Sequence, residues 1–243
     1  MQLKIFGRYF GIHKVWLLIT VTAFIILSKL GYWQLQRAEE KAIQISQLEQ
    51  LQQQGELNWQ QLAVLSAEQA DGVLFAGAGY WLKPYVWLLD NQIVDGKVGY
   101  DVIVPVQSTA KSRPLLVNLG WVAAGSSRAV LPELNIPEQL QLQGLVRSKV
   151  GGFRLGQNTE GAGWPQRIQQ PELEQMAAQL PVSAYPFLLY QQEESPFLPH
   201  YQAVVMPPEK HHGYAFQWFM LAIAVVAVAL AAARRSGREN EQE

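Results

Sequence analysis

A chain of 243 residues, 49% apolar and 16% charged with a formal net charge of -1, is long enough for one globular domain plus accessory segments. It has no cysteine, which excludes disulfides, thiolate zinc sites, iron–sulfur clusters and thiol chemistry within the chain. Residues 1–33 carry Lys4, Arg8, Lys14 and Lys29 and no acid, whereas residues 34–213 hold twelve Lys and Arg against seventeen Asp and Glu, an acidic middle with no electrostatic footprint for nucleic acid.

The first element is an apolar run over residues 15–33. As a helix it would span about 28 Å, close to the hydrocarbon thickness of a bilayer. Trp16 and the pair Tyr32–Trp33 stand near its ends as interfacial anchors, and Lys29 lies close enough to one end to snorkel outward. The sequence Ser28-Lys29-Leu30-Gly31 offers no small-x-small cleavage site, so an uncleaved anchor is favoured over a signal peptide.

Apolar residues then recur at Leu35, Ala38, Ala42, Ile45, Leu48 and Leu51, spaced as on one face of a helix. This predicts an amphipathic helix over 34–54 that continues the span and stops at Gly55. From residue 74 short β-branched and aromatic runs take over, at 74–81, 85–89, 98–106, 115–122, 139–146, 187–190 and 202–205. Asp90-Asn91 and Asp95-Gly96 are turn formers, so the second and third runs suggest a hairpin. Pro105 marks an edge or a strand end. A loop over 151–163 with five glycines reads as mobile, and Pro171 opens a short helix over 172–180 that Pro181 stops.

The last element is a second apolar run over 214–233, with Trp218 near its start and Arg234–Arg235 closing it. Three arginines follow this span against Lys210 before it, which places both termini in the cytoplasm, or in the matrix of an organelle. The expected layout is a cytoplasmic N-terminus over 1–14, a first transmembrane helix over 15–33, a periplasmic or intermembrane-space domain over 34–213, a second transmembrane helix over 214–233 and a cytoplasmic tail over 234–243. The fold class is an α+β membrane protein whose two spans flank an antiparallel β-rich barrel or sandwich.

Catalytic motifs are absent from the sequence: no nucleophile elbow, zinc-protease helix, P-loop or dinucleotide fingerprint occurs. Gly77-x-Gly79 is followed by Tyr-Trp and not by a helix start, and reads as a place where strands approach closely. Ser195 with His200 is the single nearby nucleophile–base pair, which a membrane-anchored hydrolase or transferase would need. Of the four histidines, His211 and His212 precede the second span. They suit metal or haem-iron ligation, or serve as polar interfacial caps. Cu(I) delivery is disfavoured, since Cys is absent and Met206 is the one methionine near the pair. Trp33, Trp121 and Trp164 read as anchors or core, and Asn118-Leu119-Gly120-Trp121 as a strand end.

Four blocks, in order, carry a family resemblance. Gly31-Tyr32-Trp33-Gln34-Leu35-Gln36-Arg37 resembles the Gly-x-Trp-Gln-Leu-x-Arg signature of the Surfeit locus family of cytochrome c oxidase assembly proteins. Gly99-Tyr100-Asp101-Val102-Ile103-Val104-Pro105 is similar to that family's Gly-Tyr strand ending in proline. Leu116-Val117-Asn118-Leu119-Gly120-Trp121-Val122 resembles its Val-Asn-Arg-Gly-Trp-Val block, and His211 to Phe219 its His-Leu-x-Tyr-Ala-x-Gln-Trp-Phe lead into the last span. Leu119 stands where the family usually has arginine, and His212 where it has leucine.

The resemblance implies a non-enzymatic assembly factor in a bacterial inner membrane, helping haem a reach the catalytic subunit of a haem-copper oxidase. It implies cytochrome c oxidase subunit I, haem A synthase and the lipid bilayer as partners, and transiently held haem a as cofactor. His211 is then the candidate iron ligand. Tyr214 and Trp218, three and seven residues on, fall on roughly the same helix face. An envelope scaffold without cofactor is the bland alternative.

Overall fold

The computed structural model describes residues 2–5, 8–11, 14–125, 130–151, 158–160 and 163–239. In chain order the elements are β1 (Gln2–Ile5), β2 (Arg8–Gly11), α1 (Lys14–Gln52), β3 (Glu56–Leu57), α2 (Trp59–Ala63), α3 (Ala67–Ala70), β4 (Leu74–Trp81) and β5 (Trp87–Val94). There follow β6 (Lys97–Gln107), β7 (Leu115–Ala123), β8 (Gln139–Arg147), β9 (Thr159–Glu160), β10 (Gln166–Ile168), α4 (Leu173–Ala178), β11 (Leu188–Gln191) and α5 (Pro208–Glu239). The chain divides into two compact units, residues 1–46 with 204–243, and residues 47–203.

Among the described residues two helices, α1 and α5, are long and apolar enough to cross a membrane, and most of α1 and all of α5 belong to the first unit. Helix α1 runs unbroken for 39 residues, about 58 Å, as the continuous periodicity predicts. It ends where Gly55 adopts φ +85°, a left-handed conformation that costs glycine little. Helix α5 begins at Pro208, a residue suited to the first helical turn because its missing N–H would have no partner there. It therefore starts before the apolar run at 214, and His211 and His212 are helical. A short antiparallel pair, β1 with β2, precedes α1.

The second unit is built on one nine-stranded sheet of order β3-β4-β8-β11-β7-β6-β5-β10-β9. Most neighbours are antiparallel, but β3–β4, β11–β7 and β10–β5 are parallel. A further pairing of β4 with β6 covers only Tyr80–Gln107 and Trp81–Val106. The expected antiparallel barrel or sandwich is therefore corrected: this is a mixed sheet, curled until two strands touch at a corner, and not a barrel closed along its length. The physical reason is the long return of β11, β3 and β10, whose connections carry helices or loops and so permit parallel pairing.

Strand β6 is buried on both faces. Tyr100, Val102, Val104 and Val106 point into the larger core with Phe75 and Phe187, while Ile103 joins a second core with Trp87, Leu116 and Leu188. Alternation of side chains puts these sets on opposite faces, which explains an almost continuous apolar run. Helix α4 covers the second core through Met176, and Gln179 at its end accepts from the Trp87 indole at 3.0 Å. Pro105 lies between the last β5 pairing, at Ile103, and the first β4 pairing, at Val106. Its missing N–H therefore falls in a gap in the ladder.

The Gly77-x-Gly79 reading holds. A Cβ on Gly79 would sit 2.6 Å from the Val106 side chain, and one on Gly77 would sit 2.9 Å from the Trp59 indole nitrogen. Asp95 and Gly96 both take positive φ, the conformation of a type I′ hairpin turn between β5 and β6. The run at 202–205 forms no strand. The mobility expected of the glycine-rich loop concerns 152–157 and 161–162, which lie outside the described residues. Its Asn158 is buried, accepting from the Gln169 and Gln170 amides and donating to the Gln170 carbonyl.

Candidate functional site

Two constellations gather the motif residues, one in each unit. In the first unit, Glu209 places an acid in the first turn of α5, where the helix dipole favours it, and His211 follows one turn from the helix start. His211 is only 7% exposed. Its Nδ1 lies 2.8 Å from the Gln34 side-chain oxygen of α1. In this orientation the carboxamide oxygen accepts, which matches an imidazole protonated on Nδ1. The lone pair of neutral His211 is then on Nε2, which is buried and has no hydrogen-bond partner among the described residues. A polar atom left in that state typically costs about 1–3 kcal/mol, which marks Nε2 as a candidate ligand position.

Small residues let the helices meet here. A Cβ on Gly31 would lie 2.7 Å from the Phe219 ring, and Ala38, Ala215 and Ala222 are buried on the same two stripes. Gly31, Gln34 and Ala38 are spaced three and four apart on α1, as one face requires. Of the remaining block residues, Arg37 lies over the Trp33 ring at 5.6 Å and bonds Glu40 at 2.6 Å, an exposed pair of small energetic consequence. Tyr214 is 43% exposed and Trp218 partly buried, flanking His211 along α5. His212 is exposed.

In the second unit the Gly99-Tyr100-Asp101 and Asn118-Leu119-Gly120-Trp121 blocks stand side by side on β6 and β7. The pairing shifts register between Asp101 and Ile103, leaving an extra residue on β7 around Leu119 and Gly120. That bulge turns Asn118 so that its amide donates to Asp101 Oδ2 at 2.8 Å, while its oxygen accepts the Gly120 N–H at 2.9 Å. Gly99 is crowded by the Trp121 ring and the Val122 carbonyl, and Tyr100 is core. The Trp121 indole donates to the Gln92 carbonyl at 3.1 Å. Leu119 is fully buried in the larger core, which accounts for an apolar residue here.

Asp101, 4% exposed, gives its other oxygen to His200 Nε2 at 2.6 Å. The hydrogen bond to Asp101 holds the His200 pKa above its ordinary value, against the opposing effect of burial. Ser195 does not reach toward His200 as a nucleophile would. Its hydroxyl donates to the Leu119 carbonyl and accepts from the Phe197 amide. Beside this, Arg147 bonds Asp71 at 3.1 Å and the Tyr201 hydroxyl at 3.1 Å, and Tyr201 stacks on Tyr190 with ring centroids 3.6 Å apart. Burial alone would raise the Asp71 pKa, but the Ser148 amide and Arg147 reverse that and hold it low. Burial, then Tyr201 and Asp101, push Tyr190 far up.

Among the described residues no three His, Cys, Asp or Glu cluster as a protein-only metal centre. A single buried imidazole could still serve as a haem-iron ligand, a role that needs one nitrogen donor. The sequence model of the SURF1 family matches residues 21–223. The chain belongs to the SURF1 family. SURF1 family proteins are associated with cytochrome c oxidase assembly, and the match covers both constellations and reaches into both apolar helices. Among curated proteins, none matches the chain significantly. As a SURF1 family member, it is tied to the oxidase assembly machinery.

Sequence reasoning named His211 and Gln34 separately, without their contact. It missed Asp101 as the partner of His200, and the Arg147–Asp71–Tyr201 group altogether. The acid at 101, alone inside an apolar strand, was the available sign.

Proposed function

We propose that this chain is a membrane-anchored, non-enzymatic assembly factor for a haem-copper cytochrome c oxidase, holding haem a on its way to the catalytic subunit with His211 as iron ligand. The observation that carries this reading is the buried Nε2 of His211, without a partner among the described residues, on a ring that Gln34 contacts through Nδ1. His211 would hold haem a through this nitrogen, and the bound group would supply the iron that takes it as a ligand. The apolar flank of α5 suits a hydrophobic porphyrin, with Tyr214 and Trp218 beside the ligand to pack against its edge. Subunit I and haem A synthase are the partners this reading names.

Both helices span the bacterial inner membrane in it, with both termini cytoplasmic and the sheet domain in the periplasm. Arg234, Arg235 and Arg238 retain the C-terminal end on the inner side. The test is a difference spectrum of the full chain, purified in detergent after expression alongside haem A synthesis. A haem a band that His211→Ala lowers by tenfold or more, on the order expected for loss of a ligand, supports the assignment. Unchanged occupancy removes His211 from the site. A topology reporter inserted at Gly96 should report from the periplasm.

A further inference from the structure

We infer that Gln34 is a positioning residue that sets the tautomer of His211, so that the ligand nitrogen is presented ready-made by one helix and aimed by the other. The inference rests on the haem reading for its purpose, but its geometry stands by itself. An unconstrained neutral imidazole exchanges its proton between two nitrogens, and in the form protonated on Nε2 it has no lone pair there to give. Here the carboxamide oxygen of Gln34, 2.8 Å from Nδ1, is placed to accept a hydrogen bond from an N–H on that nitrogen. The alternative tautomer would set two lone pairs against each other and would bury an N–H on Nε2, which also has no partner among the described residues. The contact with Gln34 is what separates the two forms, since Nε2 has no partner among the described residues in either.

The surroundings hold the pair together. Gly31, one turn before Gln34, lets the Phe219 ring lie against the α1 backbone, and Ala38, one turn after it, is fully buried. A side chain at either position larger than these would separate the helices and take the oxygen out of reach. The arrangement follows the general logic of metal-binding histidines, whose second nitrogen donates to an outer partner that fixes ring orientation and raises ligand basicity. Gln34 is neutral, so it orients the ring without adding a charge to a low-dielectric setting.

The experiment uses the full chain in detergent with ¹⁵N-labelled histidine, first without haem and then with haem a supplied by co-expressed synthesis. Without haem, the wild-type His211 signals should be those of the Nδ1–H tautomer. Gln34→Leu should lose that preference and lower haem a occupancy by roughly tenfold, the scale of outer-partner losses at metal sites. Gln34→Glu keeps an acceptor oxygen and should keep the tautomer. With haem a bound it should also raise the iron–histidine stretching frequency, which a merely structural contact would not move. If Gln34→Leu, with unchanged circular dichroism, leaves the His211 tautomer as in wild type, the inference is overturned. Should Gln34→Leu fail to fold, an Nε2–H tautomer in the wild type or in Gln34→Glu overturns it instead. Loss of the haem reading has a separate signature: haem a retained by His211→Ala while the tautomer still answers to Gln34.

Discussion

His200 Nε2 and Asp101 Oδ1 lie 2.6 Å apart although 99 positions separate them in the chain. Because Asp101 raises the His200 pKa above the ordinary 6.5, the pair contributes stability that is fully present below about pH 6.5. That contribution fades as pH rises through the raised value. Urea midpoints of wild type and His200→Gln, compared across that window, should converge as pH increases. A gap that widens with pH would contradict the pairing.

Gly120 has φ +111°, and a Cβ there would lie 2.6 Å from the Leu198 carbonyl oxygen. Trp121 and Leu198 exchange two backbone hydrogen bonds at that spot, 2.8 and 3.1 Å long. Gly120→Ala must therefore strain the backbone and loosen the clamp together. We expect a loss of about 1–3 kcal/mol in denaturant unfolding and lower abundance in membranes.

Restoring the family's usual arginine should harm this chain. Leu119 is fully buried among apolar neighbours, and a guanidinium there would lack a counter-charge. Leu119→Arg should cost about 3–5 kcal/mol, the scale of an uncompensated buried charge, while Leu119→Met costs under about 1.5 kcal/mol. Thermal unfolding of the two variants distinguishes them directly.

Gly31→Leu should act at a distance from the histidine it affects. Its side chain would meet the Phe219 ring, part α1 from α5 and break the Gln34–His211 contact. Haem a occupancy should fall by roughly tenfold, with circular dichroism unchanged because each helix is long enough to persist. Occupancy equal to wild type would argue against the close approach.

Local periodicity made much of the sheet legible. The run at 74–81 matches β4 to the residue, and the hairpin, the short helix after Pro171 and the unbroken α1 all follow from spacing and turn chemistry. Two small helices went unread although Asn58-x-x-Gln61 and Ser66-x-x-Gln69 form capping boxes, a pattern visible in the residues. Strand order was not legible. Parallel pairing of β11 with β7 depends on long-range packing that no local period encodes. The site followed the same division. His211 and Gln34 could each be named from sequence, but their contact spans 177 positions and exists only once α1 and α5 meet.

The ends of the sheet order are β3 and β9, each two residues long. Next to them, β4 meets β3 through Leu74 and Phe75 and β6 through Tyr80 and Trp81, and β5 meets β10 through Trp87, Leu88 and Leu89. An outermost strand this short exposes few unpaired backbone groups, so a second molecule finds little to zip onto. Lengthening either outer strand by a few β-branched residues would be the simplest way to turn it into a seed for fibrils.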